Sequence, residues 1–147
     1  MTDTTFGALR RGLAAGVAGT AAMTAAQTVY YKATGAEAST TPAEVGKRII
    51  RGVLQRDVPE ERTEALNTGM HWLYGTGWGL LYGLAARRPT TGVGFALAVW
   101  GASLVELPAM GLSPPVWQLP PSSIAPDVGF HLVYGVSAAA AHRALSG

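Results

Sequence analysis

Apolar residues along this chain fall in four long stretches separated by polar segments. The first runs from Gly12 to Tyr31, between Arg10-Arg11 and Lys32, and the second from Thr68 to Ala86, stopped by Arg87 and Arg88. The third, Thr91 to Leu107, ends at Pro108. The fourth, Val128 to Leu145, follows Asp127, a carboxylate placed to cap free helix amides. Each approaches the roughly 20 residues that a helix needs to cross a hydrocarbon layer about 30 Å thick. The pattern predicts an all-α polytopic membrane protein, with four transmembrane helices in two tandem hairpins forming a single membrane domain over residues 1–147.

The polar segments have structure of their own. Between the first two helices, Thr41, Pro42 and Glu44 make a helix start with a cap, a proline in the first turn and an acid three residues after the cap. Val45, Ile49, Ile50, Val53 and Leu54 then recur at helical spacing, with Lys47, Arg48, Arg51 and Gln55 on the other side. This predicts a basic amphipathic helix over residues 42–55. It either lies in the lipid interface through Lys47, Arg48 and Arg51 or caps the bundle by its apolar face. Asp57, Pro59 and Glu60 repeat the capping pattern and predict a further helix start leading into the second long helix. The other connection, Pro108 to Pro126, is proline-rich and predicts extended loop, with Trp117 as an interfacial anchor.

Two internal matches support the hairpin arrangement. Gly16-Val17 and Gly35 match Gly92-Val93 and Gly111 at one offset, as Ala22 and Ala26 match Ala98 and Ala102. His71-Trp72-Leu73-Tyr74-Gly75 and His131-Leu132-Val133-Tyr134-Gly135 share H-x-x-Y-G, each near the start of an apolar stretch. A duplicated two-helix hairpin accounts for both. Gly75, Gly79 and Gly83 recur every four residues, as do Gly12, Gly16, Thr20 and Thr24, the small-residue spacing that lets helices pack closely.

Composition strengthens the membrane reading. The 147 residues are 48% hydrophobic with 19 glycines besides, and only 14% are charged, against about 25% in ordinary soluble domains. The net charge of +2 forms no basic stripe, so nucleic acid is not an expected partner. The absence of cysteine excludes disulfides, thiolate metal sites and thiol nucleophiles. The chain is expected in a bacterial inner membrane as a multi-pass protein; arginine pairs at Arg10-Arg11 and Arg87-Arg88, against a proline loop with no positive charge, favour a cytoplasmic N-terminus, whereas the basic helix facing the cytoplasmic leaflet would favour the opposite orientation. Arg10-Arg11 before an apolar stretch also fits a secretory or twin-arginine signal, which would remove the first helix.

Topology carries the candidate chemistry. The start of helix two, the end of helix three and the start of helix four share one face, which brings His71, Glu106 and His131 to one level with Tyr74 and Tyr134 a turn deeper. Three readings follow: hydrogen bonds that tie helices together, a proton-responsive site because imidazole titrates near pH 6.5, or a metal site of two imidazoles and one carboxylate. The last lacks the spacing of a helical zinc motif, so no metal and no cofactor are predicted. An aromatic row, His71, Tyr74, Trp78 and Tyr82, with its counterpart His131, Tyr134, Ala138 and His142, reads as packing. No G-x-S-x-G or phosphate-binding loop occurs, and no serine has an identifiable base, so catalytic residues are not predicted.

T-P-A-E-V-G-K-R at Thr41 to Arg48, H-W-L-Y-G-T-G-W-G-L-L-Y-G at His71 to Gly83, E-L-P-A-M-G-L-S-P-P-V-W at Glu106 to Trp117 and H-L-V-Y-G at His131 to Gly135 resemble a group of small, uncharacterised bacterial membrane proteins similar to the YagU-like inner-membrane family. The resemblance implies a four-helix inner-membrane protein with a part in acid tolerance, and no catalytic residues. The expected function is a non-enzymatic structural or accessory membrane subunit, in contact with the lipid bilayer and acting as a homo-oligomer or within a larger membrane complex. The alternative is a small transporter or proton-responsive channel using His71, Glu106 and His131.

Overall fold

The computed structural model describes residues 5–85 and 91–147 and builds them into five helices: α1 (Thr5–Thr34), α2 (Thr41–Leu54), α3 (Thr63–Ala85), α4 (Gly92–Ala109) and α5 (Pro121–Ala144). Short 3-10 turns at Glu60–Arg62 and Val116–Gln118 lead into α3 and towards α5.

The long helices α1, α3, α4 and α5 form a bundle in which neighbours run antiparallel. Rising along α1, Gly12 meets Gly79 and Gly83, Gly16 meets Gly75 and Gly79, and Thr20 meets Gly75. A Cβ on Gly12 would stand 2.6 Å from the Gly79 carbonyl oxygen, and one on Gly83 would stand 2.6 Å from the Cα of Gly12. Backbone therefore touches backbone, and only glycine leaves the room. On the other hairpin a Cβ on Gly92 would lie 2.8 Å from the Cα of Val136, and one on Gly135 would lie 2.6 Å from the amide nitrogen of Ala96. α5 returns along α1 with the Tyr134 ring against Gly19 and Phe130 edge-on to Tyr30. The α3–α4 seam is bridged by side chains, with the Tyr82 and Phe95 rings 4.5 Å apart.

Those rings fill the centre. Tyr82, Phe95, Val99, Tyr134, Ala15, Ala138 and Ala139 make the buried core, with Met23, Tyr74 and Trp78 at its margin. Small residues along two seams and aromatics across the middle are complementary, because each aromatic buries some 150–250 Å² that close-packed glycines cannot supply.

α2 lies on the start of α3. Gly46 sits against Leu66 and Met70, and Ala43 is fully buried. Thr41 does not cap this helix; it is the first helical residue, and the preceding Thr40 makes no side-chain cap bond. Asn67 of α3 does that work, accepting from the Ala43 amide at 2.9 Å while donating to the Ser39 carbonyl at 3.1 Å. Ile49, Val53 and Leu54 remain exposed.

The four-span membrane architecture is overturned. Among the described residues one helix, α4, is long and apolar enough to cross a membrane, by length and composition alone. α1, α3 and α5 have the length, at 30, 23 and 24 residues. Their glycine and threonine hold the mean hydropathy down, however, and Arg10, Arg11, Gln27 and Lys32 in α1, Glu64 and Asn67 in α3, and Asp127, His131, His142 and Arg143 in α5 lower it further. The multi-pass inner-membrane location falls with it, and so does the orientation built on it. The second arginine pair, Arg87-Arg88, lies outside the described residues.

The proline-rich connection is also shorter than its prolines suggest. α5 begins at Pro121, seven residues before Val128, and Pro108 and Pro126 lie inside α4 and α5. A proline at a helix start gives up an amide that would have no partner there, so Pro121 opens the helix rather than excluding it. Asp127 is accordingly no cap; it sits one and a half turns into α5.

Candidate functional site: a polar layer across the bundle

The candidate residues converge at the level where α1, α3, α4 and α5 pass Thr24, His71, Glu106 and His131. His71 Nε2 lies 3.1 Å from Thr24 Oγ1, which itself donates to the Thr20 carbonyl at 2.8 Å. With Thr24 Oγ1 bonded to backbone, a neutral His71 carrying its proton on Nε2 donates to the threonine oxygen. The pair is therefore a helix-to-helix tie.

Tyr74 donates to Glu106 Oε2 at 2.9 Å and joins α3 to α4. Tyr134, almost wholly buried, donates to the Gly75 carbonyl at 2.5 Å and joins α5 to α3. Burial, reinforced by the neighbouring Glu106, pushes the Tyr74 hydroxyl up to about 12. Burial also raises Tyr134, with Tyr74 adding to it. Both phenols thus remain protonated donors at neutral pH.

His131 is held on its own helix. Its Nδ1 lies 2.8 Å from the Asp127 carbonyl oxygen and 3.5 Å from the Asp127 carboxylate. That carboxylate also accepts from the Trp100 indole at 2.9 Å, so α4 and α5 are tied through Asp127. Burial, and then the His131 charge, hold His71 below the ordinary histidine range.

The structure thus brings Tyr74 to Glu106, Tyr134 to Gly75 and His71 to Thr24. It does not gather a metal site: no group of three His, Asp or Glu side chains among the described residues could hold an ion. Gly75, Gly79, Gly83, Gly12 and Gly16 lie in the α1–α3 contact within one chain. The residues assigned to a lipid interface are divided. Lys47 pairs with Glu44 at 3.3 Å and approaches Glu60 at 3.8 Å, Arg51 binds Asp57, Arg48 lies beside Gly111, and Trp117 is 80% exposed.

Thr24 is legible in the sequence as a small residue of the α1 packing row but not as the partner of His71, and Trp100, Asn67 and the interhelical role of Asp127 are not read there at all. A signal was present, since Asn67 and Asp127 each stand four residues before the histidine of an H-x-x-Y-G motif, giving N/D-x-x-x-H-x-x-Y-G twice. Both side chains fasten a neighbouring helix, Asn67 to α2 and Asp127 to α4.

No family model matches this chain, and no curated protein and no solved structure matches it either.

Proposed function

We propose that the chain is a non-enzymatic structural subunit that works as a homo-oligomer, meeting a second copy across the outer faces of α3 and α4. Surface carries this reading. The chain exposes 9177 Å², whereas a compact monomer of 15.2 kDa exposes about 7,100 Å². The surplus, about 2,000 Å² on one chain, exceeds the roughly 800 Å² that each partner buries in a stable protein–protein interface. Leu73 (66%), Leu81 (55%) and Val105 (70%) stand outward with Leu84, Val93 and Leu97 on these two helices. The glycine faces are consumed between helices of one chain, so assembly runs through aliphatic side chains.

Sedimentation equilibrium tests this reading. The wild-type chain is expected to be a dimer or larger at micromolar concentration, and Leu73→Ser with Val105→Ser to weaken association at least tenfold without loss of helix content. A wild-type chain that stays monomeric at tens of micromolar contradicts it.

The building plan belongs to the same proposal: a helical hairpin used twice. A Cβ on Gly16 would stand 3.0 Å from the Gly75 carbonyl oxygen, and one on Gly92 would stand 3.0 Å from the Gly135 carbonyl oxygen, the same approach at matching motif positions.

A second reading starts from the partly buried histidines of α3 and α5, His71 bonded to Thr24 and His131 to Asp127. Charging both would push α3 and α5 apart, making the bundle responsive to protons. The likeness to YagU-like proteins, with their part in acid tolerance, accords with that reading. Association measured between about pH 5 and 7.5 separates the two, since a purely structural subunit keeps the same mass throughout.

A further inference from the structure

We infer that the groove between the end of α2 and the start of α3 binds a single-chain anionic amphiphile, its acyl chain on Ile50, Val58, Ala65 and Leu66 and its acidic head group between Arg56 and Arg62. The groove has a volume of about 360 Å³, within the range of small-molecule sites. It lies where the chain leaves α2 through Gln55 in the left-handed conformation (φ 52°) and runs through an extended Pro59 towards α3. Arg51 holds that detour in place, its Nε donating to Asp57 Oδ1 at 2.8 Å.

The same bond decides the charge of the groove. Asp57 is the one acid lining it and is already engaged by Arg51, whereas Arg56 and Arg62 enter no ion pair among the described residues. Glu60 and Glu64 line a different groove with Ser39 and Asn67. An aliphatic floor beneath two available guanidinium groups complements a ligand with an apolar tail and an anionic head. Guanidinium favours carboxylate or phosphate through paired N–H donors. A free inorganic anion would leave the floor uncovered, and a long-chain alcohol would leave both arginines without a partner. Val53 and Leu54, 74% and 62% exposed, add apolar surface where α2 ends.

Isothermal titration of the full chain with dodecanoate below its micelle concentration tests the assignment, with dodecan-1-ol and dodecyltrimethylammonium as controls. The expected result is one dodecanoate per chain at micromolar affinity. Arg56→Gln with Arg62→Gln should weaken it at least tenfold, and Ala65→Trp should abolish it by filling the groove; all three side chains are exposed, so helix content by circular dichroism should be unchanged. Equal binding of the alcohol or the cation overturns the assignment. So does unaltered affinity in the variants, the absence of binding, or binding confined to vesicles of anionic phospholipid with none to dissolved dodecanoate.

Discussion

In the α1–α3 hairpin Gly12, Gly16, Gly75, Gly79 and Gly83 bring two backbones together over several turns, and Thr20 completes the row. The α4–α5 hairpin has a shorter close contact, Gly92 on Gly135 with Ala96 beside it, and fastens its far end with Trp100 bonded to Asp127. The first is closed mainly by shape, with the Thr24–His71 tie beyond the glycine row, and the second partly by the Trp100–Asp127 tie. Shape tolerates no added atom but is indifferent to pH, whereas a polar tie accepts change in size and fails when its charge or proton is altered. The polar layer that crosses both hairpins lies where these two devices meet.

The largest effect should come from adding one carbon to the first hairpin. Gly79→Ala places a methyl group against Gly16 backbone that has no flexible end to yield, and should cost about 3 kcal/mol in urea unfolding. For a chain of this size the corresponding fall in Tm is about 6–12 °C. Gly77→Ala is its control, since nothing stands within 4 Å of that position. It should be neutral or stabilise by up to about 1 kcal/mol through helix propensity. Equal effects at the two sites would contradict closure of the first hairpin by shape.

Next in size are the tyrosines that join the halves. Tyr134→Phe removes a buried donor from the Gly75 carbonyl and should cost about 1 kcal/mol. Tyr74→Phe should cost less, because its partner Glu106 is exposed and finds water instead. Chemical denaturation of the two variants ranks them.

The smallest expected effect is acid weakening through His71. Its folded form resists protonation more than the unfolded chain does, so its contribution is fully present above about pH 6.5 and declines as pH falls below that value towards its lower folded one. Unfolding free energy measured from pH 7.5 to 5 should therefore slope downward, and His71→Gln should flatten the slope. At the alkaline end the sign reverses. Tyr74, raised to about 12 by burial and Glu106, lends stability present below about pH 10 and lost as pH rises through 12.

Much of the fold was legible. The four long helices follow from uninterrupted small and apolar runs, and the four-residue glycine spacing marks the seam that closes α1 on α3. The medium was not legible, because alanine and glycine count as apolar by composition yet add almost nothing to the energy of crossing a bilayer. Helix ends were misread where a residue has two uses. Pro121 looks like a breaker and is a helix start, and Asp127 looks like a cap and is an interhelical acceptor for Trp100. Among the site residues, Tyr74 and Glu106 share a level readable from topology, whereas the Thr24–His71 tie depends on helix rotation that spacing alone does not fix.

The chain has no cysteine, which makes disulfide trapping the most direct test of the self-assembling subunit. Leu73→Cys, on the outer face of α3, and Glu61→Cys, on the turn before it, are compared under mild oxidation at micromolar concentration. The account predicts a covalent dimer from Leu73→Cys and little from Glu61→Cys. Equal trapping at both positions, or none at Leu73→Cys, would contradict it.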